Sequence, residues 1–439
     1  MKLFGTDGVR GVAGDKLTEE LAWALGRAVT EHCDTPRPQG LIVRDTRESG
    51  PMLERALAEG IASAGGEALM AGVLPTPAAS ILVRRLGLDF AAVVSASHNP
   101  WRDNGIKYFD HRGLKLDHAD EAAIEQRVLE VLDQGRPAAG AAGAARTLHG
   151  ALDDYLRELA SVFRLNLAGL RVVLDCANGA THEAAPVIFE RLGADVETIA
   201  AEPDGRNINE GCGSTHPEAL RERVLATGAA LGFAFDGDGD RVVAVDGAGR
   251  IRDGDELIAL AAAHLRAAGE LPGPGVVVTV MSNFGFHRAM EEAGIAVATT
   301  SVGDRHVSAE LRAREWALGG EQSGHLIWTE FAPTGDGVAA ALLTLRALGD
   351  RPLADAQPME RLPQVLRNVE VADRDAAAGS GPLAAAVERE NDTLAGRGRV
   401  LVRASGTEPL LRVMVEAPTE EEADEVCGRL VGLVERELG

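Results

Sequence analysis

Three times along this chain an apolar run of strand length stops at a polar turn and gives way to a helical segment. Residues 41–43 run into R-D-T-R-E-S-G and a helix from Pro51, R-V-V-L-D-C-A-N-G-A opens at Arg171, and V-V-V-T-V-M-S-N-F-G opens at Val276. Strands that alternate with helices build mainly parallel sheets covered by helices. Similar order with little identity therefore predicts three related α/β units. Local signals agree: Thr18 is placed to cap a helix whose first turn carries Glu19 and Glu20 and whose inward positions are Leu21, Ala24, Leu25 and Ala28.

The length, 439 residues, fits about two to four domains. Residues 136–150 are rich in Ala and Gly without a clear period, reading as a linker or a loose helix end, and the first boundary is placed there. The expected division is 1–150, 151–250, 251–365 and 366–439. The last unit, with the polar, small-residue stretch 372–382 near its start, ends in a strand at 400–402, the loop R-A-S-G-T-E-P, a strand at 411–415 and a closing helix.

A formal net charge of −23 argues against a nucleic-acid or anionic-membrane partner, since both need a basic surface. A phosphorylated small molecule remains compatible if arginines and lysines gather in one cleft. Only 4% of the residues are aromatic, so Ala, Val and Leu must fill the cores. The cysteines at 33, 176, 212 and 427 are far apart, which fits reduced thiols in the cytoplasm better than a disulfide framework or a zinc site. The opening M-K-L-F-G-T-D-G-V-R-G has no apolar signal core, and no apolar run approaches a membrane span.

Chemistry concentrates in four loops. The sharpest is F-A-F-D-G-D-G-D-R-V-V-A-V-D at 233–246, where Asp236, Asp238 and Asp240 alternate with glycines between two apolar strands. Carboxylates this close repel one another, and a cation is the natural remedy. An EF-hand loop is excluded: Arg241 stands at its sixth position and Gly247 at its twelfth, where glycine and glutamate are required. Three carboxylates with room for a phosphate oxygen suit Mg²⁺.

The second loop, S-A-S-H-N-P-W-R-D-N-G-I-K, follows the apolar run 91–94 and offers Ser97 beside His98, with Gly105 permitting a second bend and Lys107 just past it. Such a loop at a strand's carboxyl end is where open α/β sheets bind ligands. In R-A-S-G-T-E-P, Arg403, Ser405, Gly406 and Thr407 make either an anion nest or an ordinary turn. In G-G-E-Q-S-G-H, Glu321 and Ser323 are short polar groups of the kind that read sugar hydroxyls. His325 there either moves protons near neutral pH or is a solvent-facing loop histidine. Asp7 and Arg10 in G-T-D-G-V-R-G, and Asp304 and Arg305 in V-G-D-R, are further charged residues beside glycines and candidates for the cleft.

Together, S-A-S-H-N-P, D-G-D-G-D-R, G-E-Q-S-G-H and R-A-S-G-T-E-P resemble the four signature loops of the α-D-phosphohexomutase superfamily, in its order and one per expected domain. The resemblance implies three topologically related α/β domains with mixed, mainly parallel sheets and a smaller C-terminal α+β domain around a central cleft. It implies that Ser97 is a phosphoserine and joins Asp236, Asp238 and Asp240 in holding one Mg²⁺. His98, Lys107, Arg10 and Arg241 would serve catalysis. Glu321, Ser323, His325, Asp304 and Arg305 would bind the sugar phosphate, and Arg403, Ser405, Gly406, Thr407 and Arg412 would grip its phosphate. Trp101 stands where the family carries a smaller aromatic.

Within the superfamily, F-G-T-D-G-V-R-G, the stretch N-I-N-E-G-C-G-S-T-H-P-E from Asn207 and the glutamine of G-E-Q-S-G-H resemble the branch acting on glucosamine phosphates. The implied reaction interconverts glucosamine 6-phosphate and glucosamine 1-phosphate, with glucose or glucosamine 1,6-bisphosphate as activating intermediate. The branches acting on mannose or glucose phosphates share the catalytic parts. The same resemblance implies a cytoplasmic enzyme supplying cell-wall precursor synthesis, with a homodimer as an allowed assembly.

Overall fold

The computed structural model describes every residue except 1–2, 6, 137–142, 374–376, 378, 405–408 and 438–439. The chain falls into two compact bodies, one of residues up to Met281 with Ile295–Pro358, the other of Ser282–Gly294 with residues from Met359 onward.

The larger body holds three sheets. The first contains β1 (Val9–Val12), β2 (Gln39–Arg44), β3 (Glu67–Val73), β4 (Phe90–Val94), β5 (Asp103–Asp110) and β6 (Ala144–Thr147), in the spatial order β1-β5-β4-β2-β3-β6. The second contains β7 (Arg171–Asp175), β8 (Asp195–Ile199), β9 (Leu231–Phe235), β10 (Val242–Asp246) and β11 (Ile251–Arg252), in the order β11-β10-β9-β7-β8. The third contains β12 (Gly275–Thr279), β13 (Ala296–Thr300), β14 (Leu318–Gly320) and β15 (Leu326–Trp328), in the order β13-β12-β14-β15.

One pattern repeats in all three. The series β3-β2-β4-β5, β8-β7-β9-β10 and β13-β12-β14-β15 agree strand by strand in order and sense. In each, the first three neighbours are parallel. The fourth strand returns antiparallel to the third. The parallel interior strands carry continuous apolar runs because both faces are covered: β4, β9 and β12 are buried at every residue. In the first sheet, the helices Glu19–His32 and Gly50–Ser63 approach so closely that a side chain at Gly26 would strike the Leu57 carbonyl, and one at Gly60 that of Trp23. The first of these helices starts as its sequence predicts, Thr18 Oγ1 accepting the Leu21 N–H at 3.1 Å.

Two local expectations are corrected. Residues 144–147, expected in a linker or loose helix end, form β6, parallel to β3. This edge strand is exposed throughout and carries no apolar alternation to announce it. Gly105 makes no bend. It lies within β5 opposite Arg10, so Lys107 is a mid-strand residue. Glycine is needed there because a Cβ would sit 2.6 Å from the Ser95 carbonyl oxygen.

The smaller body is an antiparallel sheet, β16 (Gln364–Glu370), β18 (Leu410–Glu416) and β17 (Arg399–Ala404) in that spatial order. Its core gathers Val413, Val415, Leu394, Val426 and Leu430 from the sheet and the helices Gly381–Leu394 and Glu420–Glu437. All four cysteines are free thiols. Among the described residues no helix is long and apolar enough to cross a membrane.

Candidate active site

The repeated topology fixes where the chemistry goes. The turn joining the third strand to the antiparallel fourth is residues 95–102 in the first sheet, 236–241 in the second and 321–325 in the third. Three of the four loops singled out by sequence therefore hold one topological position, at strand carboxyl ends.

The three turns meet. Ser97 Oγ donates to Asp236 Oδ2 at 2.7 Å and lies 3.2 Å from His98 Nδ1. Val242 N donates to Gly324 O at 3.0 Å, joining the second and third turns. Asp236, Asp238 and Asp240 are buried, and a carboxylate oxygen from each falls within 4.8 Å of the others. Asp236 also accepts from the Arg241 N–H at 3.1 Å. Asp238 Oδ2 accepts from Lys107 Nζ and from Thr76 Oγ1, each at 2.7 Å.

Oδ1 of Asp238 and Oδ1 of Asp240 are buried and take no hydrogen bond among the described residues. Burial and the charges of Asp240 and Asp238 push the Asp236 carboxyl well above its usual range. Crowded carboxylates with buried oxygens that take no hydrogen bond fit a hard divalent cation.

Around the aspartates the charges alternate. Burial opposes the Lys107 ammonium, but Asp238, Asp7 and Asp240 hold its pKa above the usual lysine value. Its Nζ is 3.5 Å from Asp7 Oδ2, Asp7 Oδ1 is 2.5 Å from Lys115 Nζ, and Lys115 is 2.6 Å from Asp304 Oδ2. His325 lies between Asp304, 3.5 Å from Nε2, and Asp240, 3.6 Å from Nδ1. These neighbours raise the His325 pKa although burial opposes it. His325 is thus buried, not the solvent-facing alternative. The ring of His98 is pushed down, by burial first and then by Arg241 and Arg10.

A cleft of about 540 Å³ opens onto this arrangement, lined by Asp7, Arg10, Ser97, His98, Lys115, Asp240, Arg241, Asp304, Arg305, Glu321, Ser323 and His325, among others. Glu321 is buried and accepts the Gly303 N–H at 3.0 Å, whereas Ser323 is exposed. Arg10 pairs with Asp7, Arg241 Nε lies 3.9 Å from Asp240 Oδ1, and Arg305 pairs with Glu121.

Arg403 and Arg412 face each other across β17 and β18. Burial, then the charge of Arg412, lowers the Arg403 pKa. Ser405, Gly406 and Thr407 lie outside the described residues.

Four family models match in sequence order: phosphoglucomutase/phosphomannomutase alpha/beta/alpha domain I at residues 1–134, domain II at 153–249, domain III at 253–364 and the C-terminal domain at 366–433. The chain belongs to the phosphoglucomutase/phosphomannomutase family. It is a phosphomutase, an isomerase of the phosphohexomutase superfamily with that family's multi-domain α/β fold.

Relatives named phosphoglucosamine mutase from Moorella thermoacetica and Pelotomaculum thermopropionicum are 51% and 49% identical to it, each over 98% of both chains. A solved phosphoglucomutase/phosphomannomutase family protein from Burkholderia thailandensis is 25% identical with a TM-score of 0.85, over 100% of this chain and 98% of its own. N-acetylphosphoglucosamine mutase from Aspergillus fumigatus, solved in complex with GlcNAc-6P and magnesium, shares the fold at 19% identity and a TM-score of 0.67, over 99% and 95% of the two chains.

Several residues of this family member's site escape a reading of its motifs. Thr76, at the start of the helix Thr76–Arg85, hydrogen-bonds Asp238 through its side chain and its backbone N–H. Lys115 links Asp7 to Asp304, and Arg47 is wholly buried beneath the serine turn. One signal was available for the last: R-D-T-R places charges at the end of a buried strand, where an arginine needs carbonyl or carboxylate partners.

Proposed function

We propose that this protein interconverts glucosamine 6-phosphate and glucosamine 1-phosphate, the reaction named by its half-identical relatives. The observation that carries the reading is the 2.7 Å contact between the Ser97 hydroxyl and Asp236, inside a buried three-carboxylate turn.

Ser97 carries the phosphoryl group and passes it to the free hydroxyl of the bound sugar phosphate, giving a 1,6-bisphosphate. The sugar hydroxyl gives up its proton as the new P–O bond forms, and the Ser97 oxygen leaves as a hydroxyl. His98 Nδ1, 3.2 Å from that oxygen, is placed to exchange the proton. After the bisphosphate reverses its orientation, its other phosphoryl group returns to Ser97.

Asp236, Asp238 and Asp240, with Ser97, would hold one Mg²⁺, which would supply charge neutralisation for the transferring group. Lys107, Arg10 and Arg241 surround the same position with fixed positive charge, the main contribution a protein makes to phosphoryl transfer. Glu321, Ser323, His325, Asp304 and Arg305 read the sugar, while Arg403, Ser405, Gly406, Thr407 and Arg412 grip the phosphate that is not reacting. A cytoplasmic location, the activating bisphosphate and a homodimer as an allowed assembly belong to the same proposal.

Rates on the glucosamine, glucose and mannose phosphates test the substrate. A strong preference for mannose or glucose phosphates overturns it. Intact mass and peptide mapping test the mechanism, with phosphate expected on Ser97.

A further inference from the structure

Ser97 has a backbone φ of +53°. A non-glycine residue held in the left-handed region costs on the order of 1–3 kcal/mol and persists only where its surroundings impose it. Two side chains do so, and both grip the Ser97 carbonyl oxygen.

The first is Arg47, fully buried. Its guanidinium donates to Ser97 O and Asn99 O, each at 2.9 Å, and to Asp103 O at 3.0 Å. Asp45 fixes that guanidinium at 2.8 Å and accepts the Ser95 hydroxyl, and Ser95 Oγ in turn accepts the Ser97 N–H at 2.9 Å. All these residues belong to the first sheet and its turns, so they shape the serine turn without fixing its distance from the aspartates.

The second is Asn209. Its side-chain amide donates to Ser97 O at 2.9 Å and to Asn99 O at 3.1 Å. Asn209 lies between β8 and β9, in the N-I-N-E-G-C-G stretch, and its own N–H is held by Ala177 O at 2.9 Å. It therefore belongs to the part of the chain that carries Asp236. Gly237, next to Asp236, completes the seat: a Cβ there would fall 2.6 Å from Ser97 O and 2.7 Å from Asn209 Nδ2.

We infer that Asn209 is a positioning residue for phosphoryl transfer, holding the Ser97 carbonyl across the boundary between the first and second sheets so that Oγ stays aimed at Asp236. The inference rests on Ser97 as the phosphoryl carrier. Misplacing a reacting oxygen by about 1 Å costs on the order of 10²-fold in rate.

Asn209 has a φ of +60°, so a plain truncation would confuse grip with turn. Asn209→Gly keeps the left-handed backbone and removes both hydrogen bonds. Asn209→Asp keeps the shape but aims an oxygen at two carbonyls. Both variants are assayed with glucosamine 6-phosphate and an activating bisphosphate, with rates normalised to phosphoserine measured by intact mass.

In both variants kcat should fall about 10- to 100-fold, with KM within about twofold and melting temperature near wild type. Unchanged kcat in either variant overturns it. So does a fall in kcat that comes with raised KM and a matching loss of melting temperature, the mark of a turn residue. Ser97→Ala runs alongside: if that variant still turns over, the phosphoserine reading itself has failed, whatever Asn209 does.

Discussion

Lys115 Nζ lies 2.6 Å from Asp304 Oδ2 although the two residues are 189 positions apart. This contact and that of Lys115 to Asp7 form a series of alternating charge, beside which His325 lies 3.5 Å from Asp304 with its Nε2 accepting the Gly335 N–H at 3.1 Å. Lys107, 2.7 Å from Asp238, completes the series at the aspartate turn. Asp7, Asp238 and Asp304 in this series each have a lysine neighbour.

Removing one partner of such a pair should cost more than the pair is worth. Lys115→Met leaves Asp7 and Asp304 facing each other in a site where Lys115 is only 12% exposed, and should cost about 3 kcal/mol of stability in urea unfolding. Asp304→Asn should cost somewhat less. Lys115→Met with Asp304→Asn should cost at least about 1 kcal/mol less than the sum of the single changes. Strictly additive costs would mean the contact carries no energy.

The same pair sets an acid limit. Burial opposes the Asp304 charge, yet Lys115 and then His325 hold its carboxyl down to about 2. A depressed carboxyl adds stability above its unfolded pKa and loses it as pH falls through the folded one. The window is therefore about pH 4 down to about pH 2, with about 2 kcal/mol at stake. Asp7 is held down in the same sense by Lys107, Lys115 and Arg10. Urea midpoints measured down through this window should fall steeply in wild type and more shallowly in Lys115→Met. Parallel curves would contradict the assignment.

What the sequence disclosed follows from where each interaction lies. The turns at 236–241, 95–102 and 321–325 announce themselves because polar residues and glycines interrupt apolar strands over a few positions. The partners of those turns are long-range: Arg47 is 50 residues from Ser97, Asn209 is 112 and Lys107 is 131 from Asp238. A local pattern can flag Arg47 or Lys107 as a charged residue at a strand, but it does not name the distant partner. Gly105 failed for a related reason, since a glycine required by a facing carbonyl looks in sequence like one required by a bend. Strand β6 was missed because an exposed edge strand buries no alternating face.

Ser97→Ala should lower turnover by at least about 10³-fold while shifting the melting temperature by no more than about 2 °C. Ser95 is the hydroxyl to exclude. It donates to Asp45 and accepts from the Ser97 N–H, so it is committed to supporting the turn. Phosphate mapped to Ser95, or near-normal turnover in Ser97→Ala, would transfer the role.

The aspartate turn should respond to Mg²⁺ in the absence of substrate. Three buried carboxylates destabilise one another until a cation binds, and a ligand at about 100 times its Kd adds about 2.7 kcal/mol. Mg²⁺ should therefore raise the melting temperature of chelator-treated protein. Asp238→Asn should need at least about tenfold more Mg²⁺ for the same rise, since ligand charge sets affinity. A wild-type melting temperature indifferent to millimolar Mg²⁺ would count against the triad.

Arg403 and Arg412 stand opposite each other on adjacent strands, where like charges normally destabilise a sheet. An anion held between the two guanidiniums would offset that repulsion through charge-assisted hydrogen bonds of about 1.5–3 kcal/mol each. Arg412→Ala should then raise KM for the sugar phosphate about 10- to 100-fold, because it removes half of the grip. Inorganic sulfate should raise the melting temperature of wild type more than that of Arg412→Ala. If KM is unchanged and sulfate acts equally on both, these arginines shape the sheet and bind no phosphate.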